Sequence, residues 1–296
     1  MAKRINRALW YCGILLMIFA LLVMRCCSTL ETGVLGPRLE DWSPRWQVLA
    51  PGVDMLRGRT GNPRLVFYAL RIDLADPSLG VIVNDPGDGA GSIPSIKVSS
   101  FVRRYDCIAA LNANPFSPVS DREGEARMVS GLLISSGVLV SPPYPAYDAI
   151  VFYAEIGADA PRAAIIRQSE LKDTGNIEQA LGGFSIILWK EEITVVPERT
   201  VRHPQSAAGL SADGSTLYLL AIDGRQWSSV GATEAETALI LKRLGAYDGL
   251  NFDGGGSTAL AVQEGGRVRL LNRPVHGNLF PGTERAVASC LGIIRR

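Results

Sequence analysis

The chain has 296 residues, of which 47% are hydrophobic and 20% are charged. This balance is ordinary for a protein that buries a core of its own. The formal net charge is +1 at pH 7, which argues against a nucleic-acid-binding protein, because phosphate recognition usually leaves a strongly basic surface. The sequence also contains no long run of like charges, which excludes an acidic or basic tail.

Residues 1–27 have the pattern of a signal anchor or a signal peptide. Lys3, Arg4 and Arg7 precede an uncharged apolar stretch from Ala8 to Met24. Its length of roughly 17 residues lies at the lower limit for a transmembrane helix and is long for the apolar part of a signal peptide. A membrane anchor is the favoured interpretation, before a cleaved signal and a buried core helix. Because the basic residues come first, we expect the rest of the chain to be membrane-anchored and extracytoplasmic, on the periplasmic or cell-surface side.

The remaining chain reads as a single domain. Residues 28–63 are rich in glycine, proline and polar residues, and we interpret them as a linker and the approach to the domain, which then covers residues 64–296. Strand patterns outnumber helical ones, which predicts an α+β fold with a mixed, mainly antiparallel sheet and a few helices. The predicted strands are Leu65–Ile72, Gly80–Val83, Cys107–Leu111, Gly131–Ile134, Val138–Val140, Ala149–Tyr153, Leu217–Ile222, Leu250–Phe252, Ala259–Val262, Val268–Leu271 and Val287–Ile294.

Two helices are predicted between these strands. The first covers Ile96–Arg104. The second starts at Thr233, with Glu236 at the capping-box spacing, and stops at Gly245.

Only two cysteines, Cys107 and Cys290, belong to the predicted domain. No spacing of cysteine and histidine in the sequence resembles a zinc site. In an oxidising compartment the two could form a disulfide. The favoured interpretation is two buried thiols that pack as small apolar residues.

The strongest chemical signal is the segment NFDGGGSTAL, residues 251–260. In a strand, Phe252 would enter the core while its neighbour Asp253 points to the opposite side. The three glycines that follow permit positive φ angles and let a ligand approach the backbone, and Ser257 adds a hydroxyl. The alternative is a flexible glycine turn with a structural aspartate. That alternative is weakened because a second segment has the same design.

The second segment is IDGRQWSSVGATEAE, residues 222–236. Asp223 ends an apolar strand, Arg225 follows the turn, and Ser229 leads towards the helix start at Thr233. A helix N-terminus favours anions, and arginine matches phosphate with a planar, two-pronged set of donors. Two carboxylates at neighbouring strand ends suit glycoside cleavage, because one can donate a proton while the other stabilises positive charge on the sugar ring.

With these motifs, the chain resembles the phosphodiester glycosidase family through roughly residues 65–296. The two Asp-Gly motifs are the most specific part of the resemblance, which implies hydrolysis of a sugar-1-phosphodiester in a phosphorylated glycan or glycolipid. It implies no required cofactor and no nucleic-acid partner. The matching segments, in the order of the family, are LNANPF (Leu111–Phe116), RHPQSAAGLSADG (Arg202–Gly214), IDGRQWSSVGATEAE (Ile222–Glu236), LNFDGGGSTALAV (Leu250–Val262), LNRPV (Leu271–Val275) and ERAVASCLGI (Glu284–Ile293).

The resemblance also implies a set of site residues. The catalytic pair is Asp253 and Asp223. The substrate-binding residues are Asn112, Arg202, His203, Arg225, Ser229, Gly254, Gly255, Ser257, Asn272 and Arg285. Two departures from the family pattern, at residues 113–115 and at Gln205, touch the substrate side and affect the sugar and the aglycone more than the chemistry. His276 lies in a loop rich in glycine and proline, and we predict a surface position for it.

Two further interpretations stay open at this stage. A non-catalytic carbohydrate-binding protein of envelope or exopolysaccharide assembly would keep the same pocket without turnover. Carboxylate, amide and hydroxyl oxygens could also hold a divalent cation such as calcium. The sequence has no dense loop of alternating carboxylates that would decide for a metal site.

Overall fold

The computed structural model describes residues 37–86, 91–154, 162–196, 198–276 and 282–296. The segment predicted as a signal anchor or signal peptide lies outside these described residues. Within them, every helix is too short or too polar to cross a membrane.

The described chain forms mostly short strands. In chain order these are β1 (Gln47–Ala50), β2 (Val53–Gly61), β3 (Arg64–Asp73), β4 (Leu79–Ile82), β5 (Ser92–Pro94), β6 (Ala109–Asn112), β7 (Phe116–Ser117), β8 (Ala126–Val129), β9 (Leu133–Ser135), β10 (Val138–Ser141), β11 (Asp148–Tyr153), β12 (Ala163–Arg167), β13 (Ile177–Gly182), β14 (Ser185–Trp189), β15 (Glu192–Ile193), β16 (Gln205–Leu210), β17 (Thr216–Ile222), β18 (Asp248–Asn251), β19 (Leu260–Glu264), β20 (Arg267–Leu270) and β21 (Cys290–Arg295). The helices are α1 (Val98–Arg104) and α2 (Glu234–Leu244), and short 3-10 turns cover Leu39–Asp41, Gln168–Glu170 and Gly255–Ser257.

The strands form four sheets. The largest has eight strands in the order β1-β2-β3-β17-β16-β18-β14-β15, two have five strands, β10-β9-β13-β11-β12 and β20-β19-β6-β21-β4, and the smallest is β5-β8-β7. All pairings between these described strands are antiparallel. The prediction of mainly antiparallel structure with a few helices is therefore confirmed. The predicted mixed sheet is corrected to several sheets without a parallel strand pair among the described strands.

The eight-stranded sheet is covered on both faces. Because side chains alternate along a strand, Leu217, Leu219 and Ala221 of β17 join the main core that the large sheet shares with the other sheets. Leu220 and Ile222 face a second core beneath α2. Burial on both faces explains why β17 is apolar throughout and could be predicted from sequence.

Helix α2 lies against this second face and has the predicted ends. The Thr233 hydroxyl accepts a hydrogen bond from the Glu236 N–H, and the Glu236 carboxylate accepts one from the Thr233 N–H. Gly245 ends the helix with a φ of 109°, a left-handed conformation that glycine adopts without a steric cost. Ile240 and Leu241 are fully buried against the sheet.

Part of residues 28–63, the segment predicted as a linker and the approach to the domain, belongs to the large sheet. Strand β2 pairs along its whole length with β3, so the large sheet includes strands that precede residue 64. Trp42 is buried, with its ring centroid 4.8 Å from that of Phe67 in an edge-to-face arrangement. Strand β2 was not predicted because Gly58 and Thr60 occupy buried positions, where a strand pattern usually has larger apolar side chains.

Cys107 and Cys290 are free and buried, as the favoured interpretation predicts. Burial raises the pKa of the Cys107 thiol to about 12, with a smaller contribution from Asp106. Both thiols are therefore protonated and unreactive at neutral pH.

A tight contact between β2 and β3 generates a stability prediction. A methyl group added to Gly58 would overlap the ring of Phe67, which is fully buried and held by Trp42. We expect Gly58→Ala to lower the free energy of unfolding by about 1–3 kcal/mol through overpacking. Urea denaturation of the purified protein measures this loss.

The double variant Gly58→Ala/Phe67→Leu is the matched control, because the smaller side chain makes room for the new methyl group. The two substitutions should therefore be coupled and cost less together than their separate losses add up to. Additive losses would show that the ring does not limit residue 58.

Candidate active site

The large sheet brings Asp223 and Asp253 to the same edge. Strands β17 and β18 both pair antiparallel with β16, which lies between them, so they run in the same direction. Asp223 directly follows β17, and Asp253 comes two residues after β18. Two strand spacings separate their backbones by about 10 Å.

The glycines after Asp253 leave room for two arginines. The segment from Gly255 to Ser257 forms a 3-10 turn, and Gly255 has a φ of 62°. A Cβ atom at Gly255 would lie 3.2 Å from the Nη2 atom of Arg225, and one at Gly256 would overlap the guanidinium of Arg285. The glycine run is therefore closely packed, and larger residues would displace these cations.

Asp253 is partly exposed at the centre of this arrangement. Burial raises the pKa of its carboxyl group to about 6, although the Ser257 hydroxyl, the positive charge of Arg285 and the Gly254 N–H act in the opposite direction. A carboxyl group with a pKa near 6 can exchange a proton at neutral pH, as acid–base catalysis requires.

Asp223 is more deeply placed, with only 4% of its surface exposed. Its Oδ1 accepts a hydrogen bond of 2.7 Å from the Arg273 N–H. Burial raises the pKa of Asp223 to about 6, while the Arg273 N–H and the Asn272 amide lower it. The neighbouring segment at residues 272–273 thus fixes the orientation of this second carboxyl group.

Arg225 and Arg285 both lie against the glycine turn, and among the described residues their side chains contact histidine and serine side chains. Arg285 donates from Nη1 to the Ser257 hydroxyl over 3.0 Å and from Nε to Nδ1 of His276 over 3.1 Å. Arg225 contacts Nδ1 of His203 at 3.4 Å. Within the described part of the chain, neither arginine forms an ion pair.

The two guanidinium groups are close enough to affect each other. Burial lowers the pKa of Arg285, Asp253 raises it, and the positive charge of Arg225 lowers it again. This repulsion between like charges is relieved when an anion lies between the two groups. The arrangement is therefore suited to an anionic ligand beside Asp253.

A comparison with known proteins agrees with this geometry. The family model of the phosphodiester glycosidases matches residues 105–294, which is well over half of the chain. The chain belongs to the phosphodiester glycosidase family. The match includes both Asp-Gly motifs and the two arginines beside them.

One relative of this chain is the SPbeta prophage-derived uncharacterized protein YomE of Bacillus subtilis (strain 168). The two are 30% identical over 213 residues, which cover 66% of this chain and 29% of YomE, so this chain spans less than a third of that relative's length.

Solved structures share the fold. A hypothetical protein from Synechocystis has a TM-score of 0.62 at 14% identity, with 87% of this chain and 64% of that chain covered. The catalytic domain of zebrafish N-acetylglucosamine-1-phosphodiester alpha-N-acetylglucosaminidase has a TM-score of 0.63 at 19% identity, with 88% and 87% covered. At these identities the likeness concerns the fold alone.

Several residues predicted to bind substrate support the two aspartate segments from within the protein. Asn112, Ser229 and Asn272 are at most 5% exposed. The Ser229 hydroxyl donates to the Asp223 carbonyl over 2.6 Å and accepts from the Val66 N–H. These side chains hold the two aspartate segments in place, and their direct contact with substrate stays a prediction.

The Asn272 amide is also engaged within the protein. Its Oδ1 accepts from the Leu260 N–H and its Nδ2 donates to the Thr258 carbonyl. Gln205, where the family pattern has an arginine, donates to the Ala232 carbonyl and is 5% exposed. This departure therefore lies beneath the site surface.

Arg202 has a carboxylate partner, unlike the other two arginines of the predicted phosphate clamp. Its guanidinium forms a two-pronged ion pair with Glu236, at 2.5 and 2.6 Å, and also donates to the Gly231 carbonyl. The charge of Arg202 is therefore already neutralised at the start of α2. Its contact with substrate stays a prediction, and the structure gives Arg225 and Arg285 as the better candidates for the clamp.

Each of the two histidines contacts one of the two arginines. His276 is partly exposed and also accepts the hydrogen bond from Arg285, a contact that the predicted surface position did not include. Burial lowers its pKa, which keeps the ring neutral as an acceptor. His203 is exposed and lies beside Arg225. No feature of the loop sequence predicts the contact between His276 and Arg285. The contact of Arg273 with Asp223 was also missed, because it is made by the backbone N–H and not by the side chain.

The remaining predicted residues, Gly254, Gly255 and Ser257, form the turn itself.

A site for a divalent cation was one of the interpretations that the sequence left open. Among the described residues, no group of three or more histidine, cysteine, aspartate or glutamate side chains is arranged to hold a metal ion.

The raised pKa of Asp223 predicts a pH dependence of stability. Its folded-state pKa is about 6 against an ordinary value of 3.8 for an aspartate, so ionisation favours the unfolded state as pH rises between these values. Asp223→Asn cannot ionise and keeps an acceptor for the Arg273 N–H. We expect the variant to gain roughly 2 kcal/mol of stability relative to the wild type between pH 4.5 and pH 7.5.

Thermal or urea unfolding of both proteins across this range measures the gain. A stability difference that does not change with pH would show that Asp223 does not titrate there.

Proposed function

We propose that this chain is a hydrolase that cleaves the glycosidic bond between a sugar and a phosphodiester in a glycan or glycolipid. The observation that carries the proposal is the pair of arginines Arg225 and Arg285, which form no ion pair among the described residues, beside a carboxyl group of raised pKa, Asp253. The two guanidinium groups provide a binding site for the phosphate. The carboxyl group of Asp253 is beside them, where it can act on the sugar attached to that phosphate. Membership of the phosphodiester glycosidase family supports the same reaction.

The reaction breaks the bond between C1 of the sugar and a phosphate oxygen. Water supplies the oxygen that replaces it at C1, and the bonding electron pair stays with the phosphate, which leaves as a phosphomonoester. A carboxylate accepts the proton that the water releases. Arg225 and Arg285 stabilise the negative charge that grows on the phosphate, because charge-assisted hydrogen bonds strengthen as that charge develops.

Asp253 is the carboxyl group that substrate can reach directly, since it is partly exposed while Asp223 is almost fully buried. Both groups have a pKa near 6. Around that pH one can carry a proton while the other is ionised, which is the combination that glycoside hydrolysis uses. In this proposal Asp253 reacts with the substrate, and the more buried Asp223 provides the second carboxyl group.

The sugar is a narrower question. The zebrafish enzyme of similar fold is named for N-acetylglucosamine linked through a phosphodiester. Because the two chains are 19% identical, this sugar is a first test substrate and not an assignment.

The first prediction of this mechanism concerns Asp253→Asn. The substitution nearly preserves the shape of the side chain and removes its charge and proton. Turnover of a sugar-1-phosphodiester should fall by roughly two orders of magnitude or more, while binding of the same compound is retained. Initial rates, isothermal titration calorimetry and thermal stability should be measured on one preparation.

Asp248→Asn is the matched control, because Asp248 is also a partly buried carboxylate of raised pKa, at the other end of β18. Its turnover should remain near that of the wild type. Near-normal turnover in a well-folded Asp253→Asn protein contradicts the mechanism. A wild-type protein that binds but never turns over substrate would favour a non-catalytic carbohydrate-binding protein.

A second prediction separates the phosphate clamp from the fold. Arg225→Lys and Arg285→Lys keep the positive charge but lose the planar pair of donors. Losing one charge-assisted hydrogen bond costs about 1.5–3 kcal/mol, so kcat/KM for a phosphodiester should fall at least tenfold. Hydrolysis of an uncharged aryl glycoside of the same sugar should fall much less. Equal losses on the two substrates would show that these arginines only support the structure.

We also propose that the enzyme works outside the cytoplasm, held at the membrane by the apolar segment Ala8–Met24. The support is the sequence pattern of that segment and the basic residues before it. A reporter fused after Arg296 should be active outside the cytoplasm, and activity only inside would contradict the proposal. Recovery of a mature form that lacks the first residues would favour a cleaved signal over an anchor.

A further inference from the structure

A group of arginines beside the active site has no role in the mechanism described so far. Arg57 and Arg59 project from β2, and Arg64 begins β3. We call these three residues the basic strip. Arg57 and Arg59 are exposed, and Arg64 is partly exposed.

The register of the large sheet places the strip next to Asp223. Arg59 pairs with Val66 of β3, and the carbonyl of Val66 accepts a hydrogen bond from the Asp223 N–H. Paired residues of adjacent strands point to the same face of a sheet, so Arg57 and Arg59 share the face on which the Asp223 carboxyl lies. The positive charge of Arg57 makes a small contribution that lowers the pKa of Asp223.

An open depression lies beside the strip. It has a volume of about 100 Å³ and is lined by Arg59, Thr60, Arg64, Trp227 and Ser228. The guanidinium of Arg64 lies 4.6 Å from the centre of the Trp227 ring. Trp227 is 80% exposed and stands two residues after Arg225, so one loop carries both a phosphate-clamp residue and a wall of this depression.

The charges of the strip are uncompensated. Within the described part of the chain, seven other arginines pair with carboxylates, whereas Arg57, Arg59 and Arg64 form no ion pair. Their neighbours are aromatic rings, since Arg57 lies 5.8 Å from the ring centre of Tyr68 and Arg64 lies over Trp227. An exposed aromatic ring beside free guanidinium groups suits a ligand with both a sugar face and anionic groups.

We propose that the basic strip and Trp227 bind the next repeat of a polymeric substrate, a glycan whose sugars are joined by phosphodiesters. The inference rests on the proposed function, because the strip is useful there only if the reacting linkage lies at Asp253. One phosphate lies between Arg225 and Arg285 while its sugar reacts. A neighbouring phosphate lies in the depression at Arg59 and Arg64, and the neighbouring sugar lies against Trp227.

A nucleic acid fits this surface less well than a glycan phosphate. Non-specific binding of single strands uses several aromatic side chains on which successive bases stack, and the depression offers one ring. The overall charge of +1 is also far from the strongly basic balance of nucleic-acid-binding domains. The basic strip is short and adjoins the active site, as expected for binding one further repeat of the glycan.

The experiment compares substrates of two lengths. The short one is the methyl phosphodiester of N-acetylglucosamine 1-phosphate, and the long one is a synthetic tetramer of N-acetylglucosamine 1-phosphate units joined by phosphodiesters. In Arg59→Gln/Arg64→Gln, the KM for the tetramer should rise at least tenfold. Its kcat/KM for the methyl diester should stay within twofold of the wild type, because the strip lies outside the clamp.

Arg103→Gln/Arg104→Gln is the matched control, because both residues are exposed arginines on α1 and Arg104 lies 5.9 Å from the ring centre of Tyr105. This control should leave both substrates unaffected. An unchanged KM for the tetramer in Arg59→Gln/Arg64→Gln overturns the proposal. Equal competition by an oligothymidylate with the same number of phosphates also overturns it, in favour of a nucleic-acid surface.

A failure of the proposed function gives a different result. If the wild type hydrolyses neither compound, calorimetry with the tetramer still tests the strip. Binding that weakens at least tenfold in Arg59→Gln/Arg64→Gln keeps the strip as a glycan-phosphate site, and unchanged binding removes it.

Discussion

The position of Asp253 depends on the buried amide of Asn112. Its Nδ2 donates to the Asp253 carbonyl over 2.6 Å, and its Oδ1 accepts from the Ser206 hydroxyl and the Ala259 N–H. One side chain thus joins three segments that are distant in sequence. A buried polar group left unpaired costs about 1–3 kcal/mol, so a displaced loop would lose several such contacts together. The glycine turn therefore has a fixed geometry before any ligand binds.

Arginines around this turn divide into two electrostatic classes. Arg202 is neutralised by Glu236 and anchors the start of α2. Arg225 and Arg285 have a histidine or a hydroxyl as partner and repel each other. Local arrangements that lower the stability of the folded protein in this way are typical of functional sites. An anion that binds only the folded state offsets the repulsion and stabilises the fold.

The sequence predicted those strands, helices and motifs that have a recognisable residue pattern of their own. It did not predict structure that depends on contacts between residues far apart in the chain. Strand β16 was missed because residues 206–209 are small, and at Gly209 a Cβ atom would lie 2.7 Å from the Cβ of Ala246. The two Asp-Gly motifs were visible at once. The different states of Arg202 and Arg225 were not, because the ion pair with Glu236 spans 34 positions of sequence.

The basic strip lies on β2 and at the start of β3, whereas the family model begins at residue 105. The residues proposed to bind a second repeat of the substrate thus lie largely in a different part of the sequence from those proposed to cleave the glycosidic bond. Relatives can diverge at their first strands while the aspartate turns stay the same. Preference for polymers or for single phosphodiesters would then be a trait that evolves independently of the chemistry.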